Sequence, residues 1–213
     1  MTVKEVFDLR KQGRIEEAYE AIRPMYAVHQ GKYTTLCMFW TANDILKKRV
    51  KEQRHDEALK IFKALQRVLP NIDDHDGRAH SSMLYNALML DREVKAFSML
   101  DFVATLKVET LTEADWQSIA TPAVAGTNGH PLPAVAQRLL TAAFREIKEA
   151  PTIDNALKVV ALLQEAMRRH PHNHDNLRHM ATVYHIMGDH DKALAIERQL
   201  PTKPQKGGWQ PRA

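Results

Sequence analysis

Residues 180–201 read MATVYHIMGDHDKALAIERQLP, and the fold turns on this stretch. Met180, Ala181 and Tyr184 share one helical face, at i, i+1 and i+4. Gly188 breaks the run, and Asp189 is a residue type that caps a following helix. Asp191 and Lys192 face water. Ala193, Ile196 and Leu200 return to the apolar face, and Pro201 stops the second helix. The stretch predicts two helices joined by a tight turn. One such hairpin cannot bury its own apolar face, so it needs neighbours.

The chain supplies them. Phe7 to Ile22 (FDLRKQGRIEEAYEAI) has Gly13 at the turn, Ala18 five places later and Ile22 at i+4. Leu46 to Pro70 repeats the second half with Ala58, Phe62 and Pro70, and carries Gln53 where a turn glycine is expected. NALMLDREVKAFSML, residues 86–100, offers Ala96 and Leu100, with Asp91 at the turn. PTIDNALKVVALLQEA, residues 151–166, offers Ala156 and Val160 after Pro151. From Ala18 to Ala58, Ala96, Ala156 and Ala193 the separations are 40, 38, 60 and 37 residues. A small residue lets two helices cross at the short end of the ~8–10 Å interaxial range. Glycine at the turn takes a left-handed conformation without a Cβ penalty.

This pattern resembles the tetratricopeptide repeat family, whose period is roughly 34 residues. Ala181, Tyr184, Gly188, Ala193 and Pro201 sit where that family places its small, aromatic, turn, small and terminating residues. The resemblance covers most of residues 3–106 and 134–201. It implies an all-α fold of antiparallel hairpins stacked as a right-handed solenoid. Residues 1–106 form N-terminal repeats, 107–133 a short helix plus a Pro/Gly-rich loop, 134–201 C-terminal repeats and 202–213 a flexible basic tail carrying Trp209. In such stacks the first helix of each hairpin lines a concave wall. Projecting the side chains opposite each packed face gives Trp40, Asn43, Lys47 and Lys51 in the second unit. The third gives Arg78, Tyr85 and Met89, the fourth Arg138, Arg145 and Lys148, and the fifth Arg178, Thr182 and His185. The expected groove is net basic, with aromatic side chains at one end.

Composition agrees with a helical chain. The 213 residues contain eight glycines and show no alternating β-branched run. No apolar run approaches the ~18 residues of a membrane span, and the polar amphipathic start, MTVKEVFDLRKQ, is unlike a signal peptide. The single cysteine, Cys37, has no internal disulfide partner, which suits a reducing cytoplasm. It lies in the apolar stretch TTLCMFW and is expected to be buried and inert.

Catalytic constellations with specific spacing are absent: no phosphate loop, GxSxG, HExxH or CxxC occurs. The chain therefore reads as a non-enzyme with no cofactor and no metal. His170, His172, His174 and His179, with Asp175, are metal-ligand types, but their spacing does not place them on one helical face. Thr112 is a cap for a short helix with Glu113 and Asp115 in its first turn.

The sequence thus points to a protein-interaction or scaffold module binding a protein or peptide segment, with acidic character in the ligand to match the cations. Tetratricopeptide domains that hold chaperone tails use a Lys/Asn clamp; Asn43 and Lys47 share a face here, but the pattern does not recur. The alternative is a nucleic-acid-associated regulator, which the pI of about 9.1 allows. Against it, the net charge is only +4 and acidic residues are interleaved throughout. A third reading places an enzyme site in the 121–133 loop around His130. Leu194, Ile196 and Leu200 lie on more than one side of the last helix, leaving room for homodimerisation.

Overall fold

A computed structural model describes residues 1–73, 77–117 and 132–201. Most of the Pro/Gly-rich loop, including His130, and the tail with Trp209 lie outside the described residues. The described part is all-helical: α1 (Val3–Lys11), α2 (Ile15–Val28), α3 (Lys32–Lys51), α4 (His55–Val68), α5 (Arg78–Glu93), α6 (Met99–Thr105), α7 (Glu113–Trp116), α8 (Val135–Glu149), α9 (Ile153–Leu157), α10 (Val160–Arg169), α11 (His174–Ile186) and α12 (His190–Glu197). Single 3₁₀ turns span Leu69–Asn71 and Val108–Thr110. No helix among the described residues is long and apolar enough to cross a membrane.

Three turns share one backbone hydrogen-bond pattern. Gly13, Gln53 and Gly188 all adopt left-handed backbone conformations, with φ of 77°, 59° and 79°. In each case the next N–H reaches back five residues: Arg14 to the Leu9 carbonyl, Arg54 to Arg49 and Asp189 to Tyr184. That bond closes off the first helix and reverses the chain. Five residues after each left-handed residue sits an alanine with no exposed surface: Ala18, Ala58 and Ala193. The residue following the turn also pairs with the one three places on. The pairs are Arg14–Glu17, Arg54–Glu57 and, with the charges exchanged, Asp189–Lys192. Pro70 falls inside the 3₁₀ turn that follows α4.

The middle of the chain departs from this pattern. Ala96 is exposed, in the turn between α5 and α6, and is not a crossing alanine. Val94 is extended, and Ser98 caps α6 by accepting from the Asp101 N–H. Large side chains, Met99, Leu100, Phe102 and Val103, fill the space instead. Phe62, Phe97 and Phe102 form an aromatic cluster with centroids 5.5–6.4 Å apart. Ala156 is fully buried as the spacing predicts. Thr112 starts α7, its N–H and hydroxyl both donating to the Asp115 carboxylate at 2.8 Å. Ser81 of α5 donates to the same carboxylate, so the buried Asp115 ties α7 to α5. Trp116 is buried, with the Arg169 guanidinium 5.0 Å above its ring.

From α1 to α6 each helix packs on the next, and α3 also packs on α1 and α5; α8 then receives α5, α6, α7 and α10, and α11 packs on α9, α10 and α12. One apolar core runs from Val6 to Val183. At its N-terminal end Arg49 reaches across three helices. It donates to Glu16 of α2 at 2.5 and 2.6 Å, to Glu57 of α4 at 3.0 Å and to Glu52 at 3.0 Å.

Candidate functional site

α3, α5 and α8 stand side by side, each touching the next. Helical spacing decides what they present. Tyr85, Met89 and Arg92 are i, i+4 and i+7 on α5; Lys47 and Lys51 are i and i+4 on α3; Arg138 and Arg145 are i and i+7 on α8. The structure brings these together. A cleft of about 560 Å³ at the C-terminal ends of α3 and α5 is lined by Lys47, Lys51, His55, Met89, Arg92 and Glu93, among others. The Arg138 guanidinium lies 6.0 Å from the centroid of the Tyr85 ring. Burial pushes the Tyr85 phenol up, with Arg138 opposing it.

Other projected residues are placed differently. Asn43 is 1% exposed and lines no groove. Its Oδ1 accepts from Ser82 Oγ and Asn86 Nδ2, both at 2.8 Å, so it is a polar lock between α3 and α5. Trp40 is half-buried, edge-on to Phe39 with centroids 5.2 Å apart. Arg145 pairs with Asp91 of α5 and Arg178 with Asp175 at 2.9 Å, which removes two cations from the expected basic surface. His185 is 3.0 Å from Glu197 through Nε2 and 3.2 Å from His190 through Nδ1, a clasp between α11 and α12. Arg78 is exposed at the start of α5. Lys148 is exposed near the end of α8. Lys47, Lys51 and Lys148 have no ion pair among the described residues.

A second cleft, of about 630 Å³, escaped the sequence reading. It lies between α4, the N-terminal half of α5 and the end of α6. Met83, Leu84, Phe102, Leu106 and Leu111 contribute apolar lining, and Lys63, Arg67 and Lys107 contribute cations. Its signal was Lys60, Lys63 and Arg67 at i, i+3 and i+7, which share one face of α4.

The remaining reactive groups are accounted for locally. Cys37 is fully buried with Sγ 3.9 Å from Thr41 Oγ1, and burial pushes its thiol up. His179 stacks on Phe144, ring centroids 4.0 Å apart, and burial brings its pKa down to about 4. Among the described residues, its Nδ1 and both side-chain polar atoms of the fully buried Asn176 have no hydrogen-bond partner. His170 ends α10 and His174 begins α11. Among the described residues no group of three or more His, Cys, Asp or Glu side chains converges to hold a metal ion. The chain matches no protein-family model, no curated protein and no solved structure.

Proposed function

We propose that this chain is a tetratricopeptide-like interaction module, its hairpins stacked as a right-handed solenoid, that binds a segment of another protein across its first helices. The recurrent register supports the repeat reading: a left-handed residue, a chain reversal and a buried alanine five places on occur at Gly13, Gln53 and Gly188. The observation that carries the binding reading is the contiguous surface over α3, α5 and α8. Lys47, Lys51 and Met89 line one cleft, Arg138 lies over Tyr85, and Tyr85 is one helical turn before Met89 on α5. Exposed cations with no ion pair among the described residues, next to apolar and aromatic side chains, suit a segment with carboxylates and a few apolar contacts. Pairing of Arg145 with Asp91 lowers the net positive charge of this surface, which weighs against a nucleic-acid track.

The test is a pull-down from native lysate, with and without nuclease, read by mass spectrometry. It compares the parent with a Lys47→Glu, Lys51→Glu, Arg138→Glu variant whose circular dichroism matches the parent. A discrete protein that survives nuclease and is lost with the variant is the expected result. Recovery of nucleic acid, with all proteins lost on digestion, would replace this reading by a nucleic-acid-associated one.

A further inference from the structure

The α4–α5–α6 cleft lies apart from the α3–α5–α8 surface. We propose that it is a second binding site, one that takes a peptide segment with a bulky apolar side chain flanked by Asp or Glu. Two observations carry this. The cleft has an apolar lining, with Phe102, Met83 and Leu84 all less than a tenth exposed as residues yet reaching its wall. Its volume of about 630 Å³ falls within the ~300–1,000 Å³ of sites that enclose a ligand.

The second observation is the charge around it. Lys63 and Arg67 are exposed on α4, about 6 Å apart along the helix axis. Lys107 enters the cleft from the segment after α6. None of the three has an ion pair among the described residues. Lys60, one further turn along α4, extends the row and is likewise without one. Like charges at i, i+4 repel, so the row costs the isolated helix stability. An acidic ligand would reverse that sign. Cations contributed by two separate elements around one apolar floor call for carboxylates on both sides of an apolar anchor. A single head group would meet only one side. Lys63 and Arg67 supply charge-assisted hydrogen bonds, and burial of the anchor supplies the apolar contribution.

The experiment uses the full chain and fluorescence anisotropy with a fluorescein-labelled peptide that sets Phe and Leu between Asp and Glu pairs. A control peptide replaces Phe and Leu with Ser. The protein variants are Lys63→Glu with Arg67→Glu, Thr105→Trp to fill the cleft without changing charge, and Lys47→Glu with Lys51→Glu on the other surface. All are checked by circular dichroism and melting. The expected result is saturable binding by the parent. It weakens at least tenfold in the Lys63/Arg67 and Thr105 variants and for the Ser control, and stays within twofold in the Lys47/Lys51 variant. No saturable binding, or equal binding of the Ser control, would overturn the site. Loss confined to the Lys47/Lys51 variant would also overturn it, while leaving the first-helix surface of the previous section standing. Tighter binding of a twelve-nucleotide single-stranded RNA than of the peptide, lost in the Lys63/Arg67 variant, would reassign the cleft to nucleic acid.

Discussion

The hairpins α3–α4 and α11–α12 are built to one local plan and end up in opposite situations. Both reverse through a left-handed residue followed by an i−5 hydrogen bond, and both bury an alanine five places on. Yet α3 buries more than half its length, including Thr41, Asn43 and Arg49. α12 buries Ala193 alone and leaves Leu194 46% exposed. Local sequence sets the shape of a hairpin. Its contribution to stability comes from what stands on either side, and α3 has α1, α2, α4 and α5 around it. The same contrast runs through the ion pairs. Arg49 has a side chain 9% exposed and joins three helices, whereas Asp189–Lys192 is an exposed pair one turn long.

Removing the two cations should separate the hairpins most. Arg49→Ala withdraws the cation shared by Glu16, Glu52 and Glu57, leaving them Lys48 and Arg54, and should cost roughly 2–3 kcal/mol in urea unfolding. Lys192→Ala removes one half of an exposed pair and should leave the unfolding midpoint nearly unchanged. Equal costs would mean that the burial of Arg49 contributes nothing. Next come the alanines. Ala58→Leu should destabilise by roughly 1–3 kcal/mol through overpacking. Ala193→Leu should do less, because among the described residues α12 packs chiefly on α11. If Ala58→Leu melts like the parent, Ala58 does not sit at a tight contact between α3 and α4.

The turns can be exchanged. Gln53→Gly removes the left-handed penalty of a side chain and should add about 0.5–1 kcal/mol. Gly188→Gln should lower stability by about 1 kcal/mol. A Cβ at Gly188 would meet nothing within 4 Å, so that cost is conformational alone.

Acid titration, spread over several pH units, is the gentlest effect at any one pH. It separates the two regions. Burial holds His179 down to about 4 from 6.5, so its neutral form is favoured in the fold. Its stabilisation is complete above pH 6.5 and is lost as pH falls to about 4. Arg49 holds Glu16 down to about 2 from 4.5, so that contribution is lost only between pH 4.5 and about 2. Amide exchange should therefore rise first around α8 and α11 and later around α2–α4. His179→Phe should flatten the first phase, and simultaneous loss in both regions would refute the assignment.

What the sequence disclosed follows the reach of each interaction. Gly13 and Gly188 announce their turns by residue type. Gln53 does not, and only the offset to Ala58 marks it. Ala96 misled because an alanine near the right spacing fell in a turn, while Met99 and Leu100 took the packing role. Asn43 lies on the interior side of α3, a rotation that shows only once Ser82 and Asn86 are opposite. Asp91 neutralises Arg145 from 54 residues away, beyond any local pattern. The α4–α5–α6 cleft needs three elements placed together, so its cations read as an ordinary solvated face of α4.

Cys37 has a further use. It is the chain's single cysteine, and its thiol is sealed inside α3 with no exposed surface. A cysteine introduced at an exposed site such as Lys63 or Lys192 would be the one thiol a maleimide readily meets. Single-site dyes and spin labels can thus be attached without first removing a native residue, and a doubly substituted chain would report the distance between its hairpins in solution.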